Sequence, residues 1–216
     1  MKIHDDKMLR RLETLIDVVF ALVIWKIFMI LPRPSADEIE MLSIAKLLVN
    51  EYPKFIIATI SILMVIIYWL QNNQLFKYLG KTNAVHTGLS IANLFLLLLF
   101  LYSVGLSIRF EGDKDALISQ SVMALLYSLS TFITWRYAVK KKLTRPDLSL
   151  DDAKALSKEN LAEPVTALFS IPFAFVTPIL WELSWFAYPL INKAFKGKLS
   201  KLAEDETEKE FSDVSE

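Results

Sequence analysis

The residues of this chain that could do chemistry are polar side chains set within long apolar stretches. Asp17 and Lys26 lie in the first stretch, Asn93 lies in the third and Glu182 lies in the last. A charge near the middle of a membrane helix costs roughly 2.5–3.5 kcal/mol on insertion scales, so it usually has a partner or belongs to an ion pathway. The expected chemistry is therefore hydrogen bonding between helices and contact with ions.

The sequence has few residues and no motif that would indicate an enzyme. The chain has no Cys, which excludes disulfides, zinc–thiolate sites and thiol nucleophiles. His4 and His86 have no motif-linked Ser, Asp or metal-ligand partner. Lys+Arg and Asp+Glu both number 24, so the net charge is zero and gives no reason to expect nucleic-acid binding. We therefore expect no catalytic residues, no metal centre, no cofactor and no nucleic-acid partner.

Hydropathy predicts an all-α, multi-pass membrane protein, because 54% of the residues are hydrophobic and they occur in blocks separated by charge. A membrane helix needs about 20 mostly apolar residues. None of the blocks alternates with the period of two that is typical of membrane strands. The predicted transmembrane helices span about 13–31, 55–73, 89–108, 116–137, 164–179 and 180–196.

The last two predicted helices come from one long apolar region that contains Pro172, Pro178 and Pro189. Hydropathy alone allows one kinked helix or two short ones. Cytoplasmic loops are enriched in Lys and Arg. Two helices place 18 of the 24 basic residues on the side of the N-terminus, whereas one helix would move the basic tail to the other side. We therefore predict six transmembrane helices with both termini cytoplasmic.

Two segments are predicted to lie outside the bilayer core. Residues 36–52 have apolar side chains near helical spacing with charges among them, which predicts an interfacial amphipathic helix or a helix packed on the protein itself. Residues 197–216 are polar and end in an acidic run, which predicts a disordered cytoplasmic tail. The membrane domain is accordingly assigned to residues 1–196.

Amides near the predicted membrane helices allow two interpretations. Trp69 is followed by four amides, including Asn72 and Asn73. An interfacial aromatic residue and a helix exit would explain this pattern, and so would a buried hydrogen-bonded cluster. Asn93 bonds across helices or faces water. Asp17, a full turn deeper than Glu13, is expected to have a partner on a neighbouring helix.

Three motifs resemble the transmembrane protein 175 family of potassium-permeable channels. The family pattern R-x-x-x-F-S-D followed by V-F-A-I is similar to residues 11–22, which keep Arg11 and Asp17 but have Leu15 and Ile16 for the Phe and Ser. Its W-x-x-H-H-x-x-F motif is matched at 69–76, with two Asn in place of the His pair. Its N-L-L-L-L-F run resembles 93–98. The resemblance covers roughly residues 10–110.

This resemblance implies a subunit of six helices, four copies of which surround one pore lined by the first helix. It implies a multi-pass protein of the membrane, in the cell membrane if prokaryotic, that binds sister copies, lipid and monovalent cations. Family channels have no carbonyl-lined filter; a ring of branched aliphatic side chains, five residues beyond the signature Asp, forms the constriction. That position is Leu22. Potassium would be the permeant ion, with no cofactor.

Helix geometry places three further apolar side chains on the same side of the first helix as Leu22. At 100° per residue, Leu15, Val18 and Met29 fall within about 60° of Leu22, whereas Asp17 falls on the opposite side. Arg11, Asp17, Trp69, Asn72, Asn73 and Asn93 are then expected to form a structural polar network.

Two residues near the predicted lining favour an alternative. Trp25 stands where the family tends to have Thr, and Lys26 lies about 40° from Leu22, where four ammonium groups would repel cations. A non-conducting, channel-like membrane subunit is therefore the second hypothesis. A transporter is a third, with Glu182 among three prolines as its one candidate ion-binding acid.

Overall fold

The computed structural model describes residues 2–31 and 44–196, and in these residues the chain is helical without β-strands. A 3₁₀ turn, Trp185–Ala187, joins the last two helices. The helices are α1 (Lys2–Ile30), α2 (Ile44–Lys77), α3 (Ala84–Arg109), α4 (Lys114–Lys140), α5 (Leu150–Glu159), α6 (Ala162–Ala174), α7 (Pro178–Ser184) and α8 (Tyr188–Phe195). The prediction of an all-α protein is confirmed.

Three of the described helices are long and apolar enough to cross a membrane, namely Val49–Lys77 within α2, α3 and α4. Helix α1 has 29 residues, but its apolar part carries Glu13, Asp17 and Lys26. Charges in a membrane helix are costly, and α1 is not among the described helices that are apolar enough to cross a membrane by composition.

The helix that contains the predicted second span begins before residue 55. The structure has one continuous helix, α2, in which residues 44–52 of the predicted amphipathic helix run through Pro53 into the apolar segment. Residues 36–43 lie outside the described part of the chain. Pro removes only one backbone donor, and membrane helices tolerate this where neighbouring groups support the turn. Here Lys54 pairs with Glu51 at 2.7 Å and with Glu111 at 3.2 Å.

The region of the last two predicted spans is also divided differently. Helix α6 has 13 residues and rises about 20 Å, which is shorter than a hydrocarbon core of about 30 Å. The chain then breaks at 175–177, and α7 begins at Pro178 with Thr177 Oγ1 accepting a hydrogen bond from the Leu180 amide at 3.1 Å. Proline therefore opens the new helix, slightly before the predicted start at 180. The predicted tail, 197–216, lies outside the described residues.

The core lies where α1, α2, α3, α4 and α6 meet. Helix α4 packs most extensively against α3 and next against α6. A second apolar cluster, which includes Leu9, Trp135 and Leu156, joins the first turns of α1 to the end of α4 and to α5. Trp135 Nε1 donates to the Ala153 carbonyl at 3.1 Å, which fixes α5 against α4.

The α2–α3 connection is held by the loop after α4. The Gly80 and Lys81 amides both donate to the Leu143 carbonyl, at 2.9 and 3.1 Å, and the Arg145 amide donates to the Tyr78 carbonyl at 2.9 Å. Leu79 and Thr144 form an isolated antiparallel bridge within this contact. The two loops on this end of the bundle therefore form one hydrogen-bonded unit.

Candidate functional site

Helix α1 presents one face to the core and leaves the other uncovered by its own subunit. Ile16, Phe20 and Val23 are buried in the core, whereas Leu22 is 55% exposed. The Leu22 stripe, as it is called here, is the part of the exposed surface of α1 that comprises Leu15, Val18, Leu22 and Trp25. An apolar stripe of this length, uncovered within one chain, needs lipid or another protein surface to cover it.

The C-terminal end of α1 adds charge beside the Leu22 stripe. Lys26 is exposed, Met29 is half-buried, and both line a cavity of about 480 Å³ between α1 and α3. Arg109, at the end of α3, lines the same cavity. The cationic side chains of Lys26 and Arg109 therefore share one cavity at the flank of the stripe.

Asp17 lies off the Leu22 stripe and has a partner on another helix. Trp69 Nε1 on α2 donates a hydrogen bond to Asp17 Oδ1 at 2.9 Å. This contact joins two residues that are 52 positions apart in the sequence. A carboxylate held by an indole N–H from its own subunit is suited to positioning α1 rather than to contacting a permeant ion.

Two of the predicted amides are buried between helices. Asn72 Nδ2 donates to the Tyr127 hydroxyl at 3.3 Å, and Asn93 Nδ2 donates to Thr131 Oγ1 at 2.7 Å. Both amides line a small internal cavity of about 20 Å³ that is also lined by Ile16, which is 3% exposed. Position 16, a Ser in the family pattern, is thus an apolar wall of a polar cavity here.

Arg11 and Asn73, the remaining residues of the predicted network, do not join these hydrogen bonds. Arg11 is exposed, and the described part of the chain contains no ion pair between it and Glu13 or Asp17. Asn73 is half-buried, with no hydrogen bond to a described residue. The hydrogen bonds of the predicted network residues therefore form two separate groups, Asp17 with Trp69 and the internal amides.

Sequence reasoning did not select Glu163, which is 4% exposed in the first turn of α6. The predicted span began at 164, so this acid was placed outside the membrane helix. An acid directly before a proline that opens an apolar run was the available signal, since proline favours the first turn of a helix. Glu182, by contrast, is half-buried. No group of three His, Cys, Asp or Glu suited to a metal ion occurs among the described residues.

One family model matches part of the sequence. The family model described as endosomal/lysosomal potassium channel TMEM175 matches residues 11–101, which contain α1 from Arg11, α2 and most of α3. No curated protein matches the sequence.

Two solved structures share the fold. One, described as a lysosomal potassium-selective channel TMEM175 homologue from Chamaesiphon minutus, has a TM-score of 0.74 at 15% identity and covers 88% of this chain and all of its own. The other, a single-residue variant of the potassium channel MtTMEM175 in complex with a nanobody fusion protein, has a TM-score of 0.60 at 21% identity over 90% of this chain and 93% of its own. The neighbours are ion channels rather than enzymes, and the chain is a multi-pass membrane protein. The resemblance to the TMEM175 family is thus confirmed, over residues 11–101 in sequence and over most of the chain in fold.

Proposed function

We propose that this chain is the subunit of a potassium-permeable cation channel, in which four copies surround a pore lined by α1 and closed by a ring of Leu22. The observation that carries the proposal is the Leu22 stripe itself, an exposed apolar face on the helix that bears the family motif. In the proposed topology six spans place both termini in the cytoplasm, and α6 and the α7–α8 segment are the last two.

A symmetric assembly gives the Leu22 stripe a natural cover. In a closed ring every copy presents the same surface, so a stripe on α1 meets equivalent stripes around the axis. The core-facing side of α1 is packed and Trp69 donates to Asp17 within the subunit, which supports an orientation of α1 with the Leu22 stripe toward the axis.

A ring of leucines restricts ions by excluding water. Narrow apolar constrictions gate by dewetting, because an ion must shed water without receiving protein oxygens in return. Leu15 and Val18 would extend this apolar lining on the N-terminal side of Leu22, and Met29 on the other. Selectivity for potassium over sodium would follow from the lower cost of partially dehydrating the larger ion.

Potassium flux from liposomes tests the role of Leu22. We expect Leu22→Ala and Leu22→Asn to raise the flux of purified, reconstituted protein, because each widens or wets the constriction. Leu168→Ala is the matched control, since Leu168 is 58% exposed, close to the 55% of Leu22, but lies on α6. Unchanged flux in both Leu22 variants, with normal insertion and assembly, would exclude Leu22 from the constriction.

A non-conducting, channel-like subunit is the second candidate, and the exposure of Trp25 and Lys26 favours it. Indoles on the Leu22 stripe would fill much of a narrow pore, and ammonium groups beside it would repel cations. Wild-type protein without flux above empty liposomes, together with conduction in the Trp25→Thr and Lys26→Leu double variant, would support this candidate.

A further inference from the structure

A groove on the side of the bundle lies between α2, the start of α6 and the segment from the 3₁₀ turn to α8. Its volume is about 220 Å³, and most of its lining is apolar, including Leu63 and Ile67. The exposed Leu63 forms part of its outer edge. The groove is separate from the Leu22 stripe and from the internal amide cavity.

One charged side chain lies among the described residues that line this groove. Glu163 is 4% exposed, and its Oε1 atom is buried with no hydrogen-bond partner among the described residues. A buried acid without a partner is costly to ionise, and an acid within a membrane domain usually marks a functional contact. The side chain therefore lacks a counter-group that an occupant of the groove can supply.

The same groove is lined by four aromatic rings, those of Tyr68, Trp185, Phe186 and Tyr188. Aromatic faces attract cations, and cages of such rings are the usual recognition site for alkylammonium groups. Trp185 and Trp181 meet edge to face, with ring centroids 5.9 Å apart, so the indole at position 185 is held by packing. The aromatic rings and the acid of Glu163 together favour a cationic occupant.

We propose that this groove binds a single-chain alkylammonium compound, with its ammonium at Glu163 and its hydrocarbon chain along α2. The ammonium supplies the missing donor to Glu163 Oε1 and lies against the aromatic rings. The aliphatic wall, including Leu63 and Ile67, covers the chain. Anionic amphiphiles are repelled by the carboxylate, and alcohols of equal length lack the charge. The proposal does not depend on ion conduction.

Photolabelling tests the site directly. The wild-type protein in nanodiscs is treated with a dodecylamine that carries a diazirine on its chain, and labelled peptides are mapped by mass spectrometry. We expect saturable labelling of α2 near Leu63 and of the 185–189 segment, with competition by unlabelled dodecylamine. The diazirine-bearing alcohol of the same length serves as the uncharged probe and should label the groove weakly.

Glu163→Gln should reduce labelling affinity roughly tenfold, because it removes the charge but keeps the shape. Glu182→Gln is the matched control, since Glu182 is a half-buried acid outside the groove lining. If Glu163→Gln does not assemble, Leu63→Trp fills the groove and should abolish labelling. Equal labelling by the alcohol, unchanged labelling in both groove variants, or labelling spread over the whole membrane surface would overturn the proposal.

Discussion

Trp69 on α2 donates its indole N–H to Asp17 on α1, with 2.9 Å between Nε1 and Oδ1. The two residues belong to two separate motifs of the family pattern, and both lie within residues 11–101. The bond explains why α1 tolerates an acid within an apolar stretch. We expect it to limit the rotation of α1 and thereby to orient the Leu22 stripe.

A double-mutant cycle measures this bond. Trp69→Phe removes the donor, Asp17→Ala removes the acceptor, and we expect a coupling free energy of about 0.5–2 kcal/mol, the range for polar contacts between membrane helices. Reversible unfolding in mixed detergent micelles provides the measurement. Trp25→Phe, at an exposed indole on α1, is the control and should show no coupling to Asp17→Ala. A Trp69 coupling near zero would contradict the positioning role.

Disulfide crosslinking tests whether the Leu22 stripe lies at an axis between copies. The natural chain has no Cys, so Leu22→Cys introduces the one thiol in each subunit. Disulfides need Cβ atoms roughly 3.5–4.5 Å apart, which a narrow constriction provides. We expect mild oxidation to give covalent dimers of Leu22→Cys but few of Leu168→Cys. Equal yields from the two variants would show that the crosslinks arise from random collision.

Replacement of the two unusual residues on or beside the stripe should raise ion flux. Trp25→Thr reduces bulk, Lys26→Leu removes a repelling charge, and we expect the double variant to conduct more potassium than the wild-type protein in liposomes. Phe28→Thr is the control, because Phe28 is exposed on α1 outside the predicted lining. A rise in flux for Phe28→Thr as large as that for Trp25→Thr would indicate general disruption of α1.

Two glycines give opposite predictions for stability. A Cβ added at Gly80 would lie 3.2 Å from Arg145 Cα, within the hydrogen-bonded contact of the two loops. A Cβ at Gly88, within α3, would meet no atom within 4 Å among the described residues beyond its chain neighbours and the backbone of α3 itself. We expect Gly80→Ala to lower the melting temperature, and Gly88→Ala to raise stability by up to about 1 kcal/mol through helix propensity. Equal shifts would contradict close loop packing.

The anchoring of α5 by Trp135 can be measured by proteolysis. Trp135→Phe keeps an aromatic ring in the cluster but loses the bond to the Ala153 carbonyl. That carbonyl still accepts from Ser157 Oγ at 3.0 Å, so we expect a loss near ~0.5–1.5 kcal/mol. Limited trypsin digestion should cut faster at Lys154 and Lys158. Arg136→Gln, at the exposed neighbouring position, should leave α5 protected.

Hydropathy and helical periodicity along the sequence were sufficient to predict the helices and the two faces of α1. Apolar blocks predict α3 and α4 closely, at 89–108 against 84–109 and at 116–137 against 114–140. The angular spacing along α1 separates Leu22 from Asp17, and the structure places Leu22 on an exposed face and Asp17 in a bond to α2. Both results depend on properties that each helix has by itself.

The continuity of α2 and the surroundings of buried Glu163 could not be predicted from such local patterns. The passage of α2 through Pro53 brings Lys54 to Glu111, which lies in the turn after α3. The burial of Glu163 depends on separate segments of the chain meeting around it. Neither can be read from hydropathy, which averages over residues adjacent in sequence.

By itself, then, the amino-acid sequence determined that the chain is helical, that it resides in a membrane and that α1 has an apolar stripe opposite its acid, because hydrophobicity and helical period are local quantities. Only the tertiary structure decided that Trp69 is the partner of Asp17, that Ile16 closes a polar cavity and that Glu163 faces an aromatic groove. Those choices depend on which faces of distant helices meet, and that is set by packing of the whole bundle.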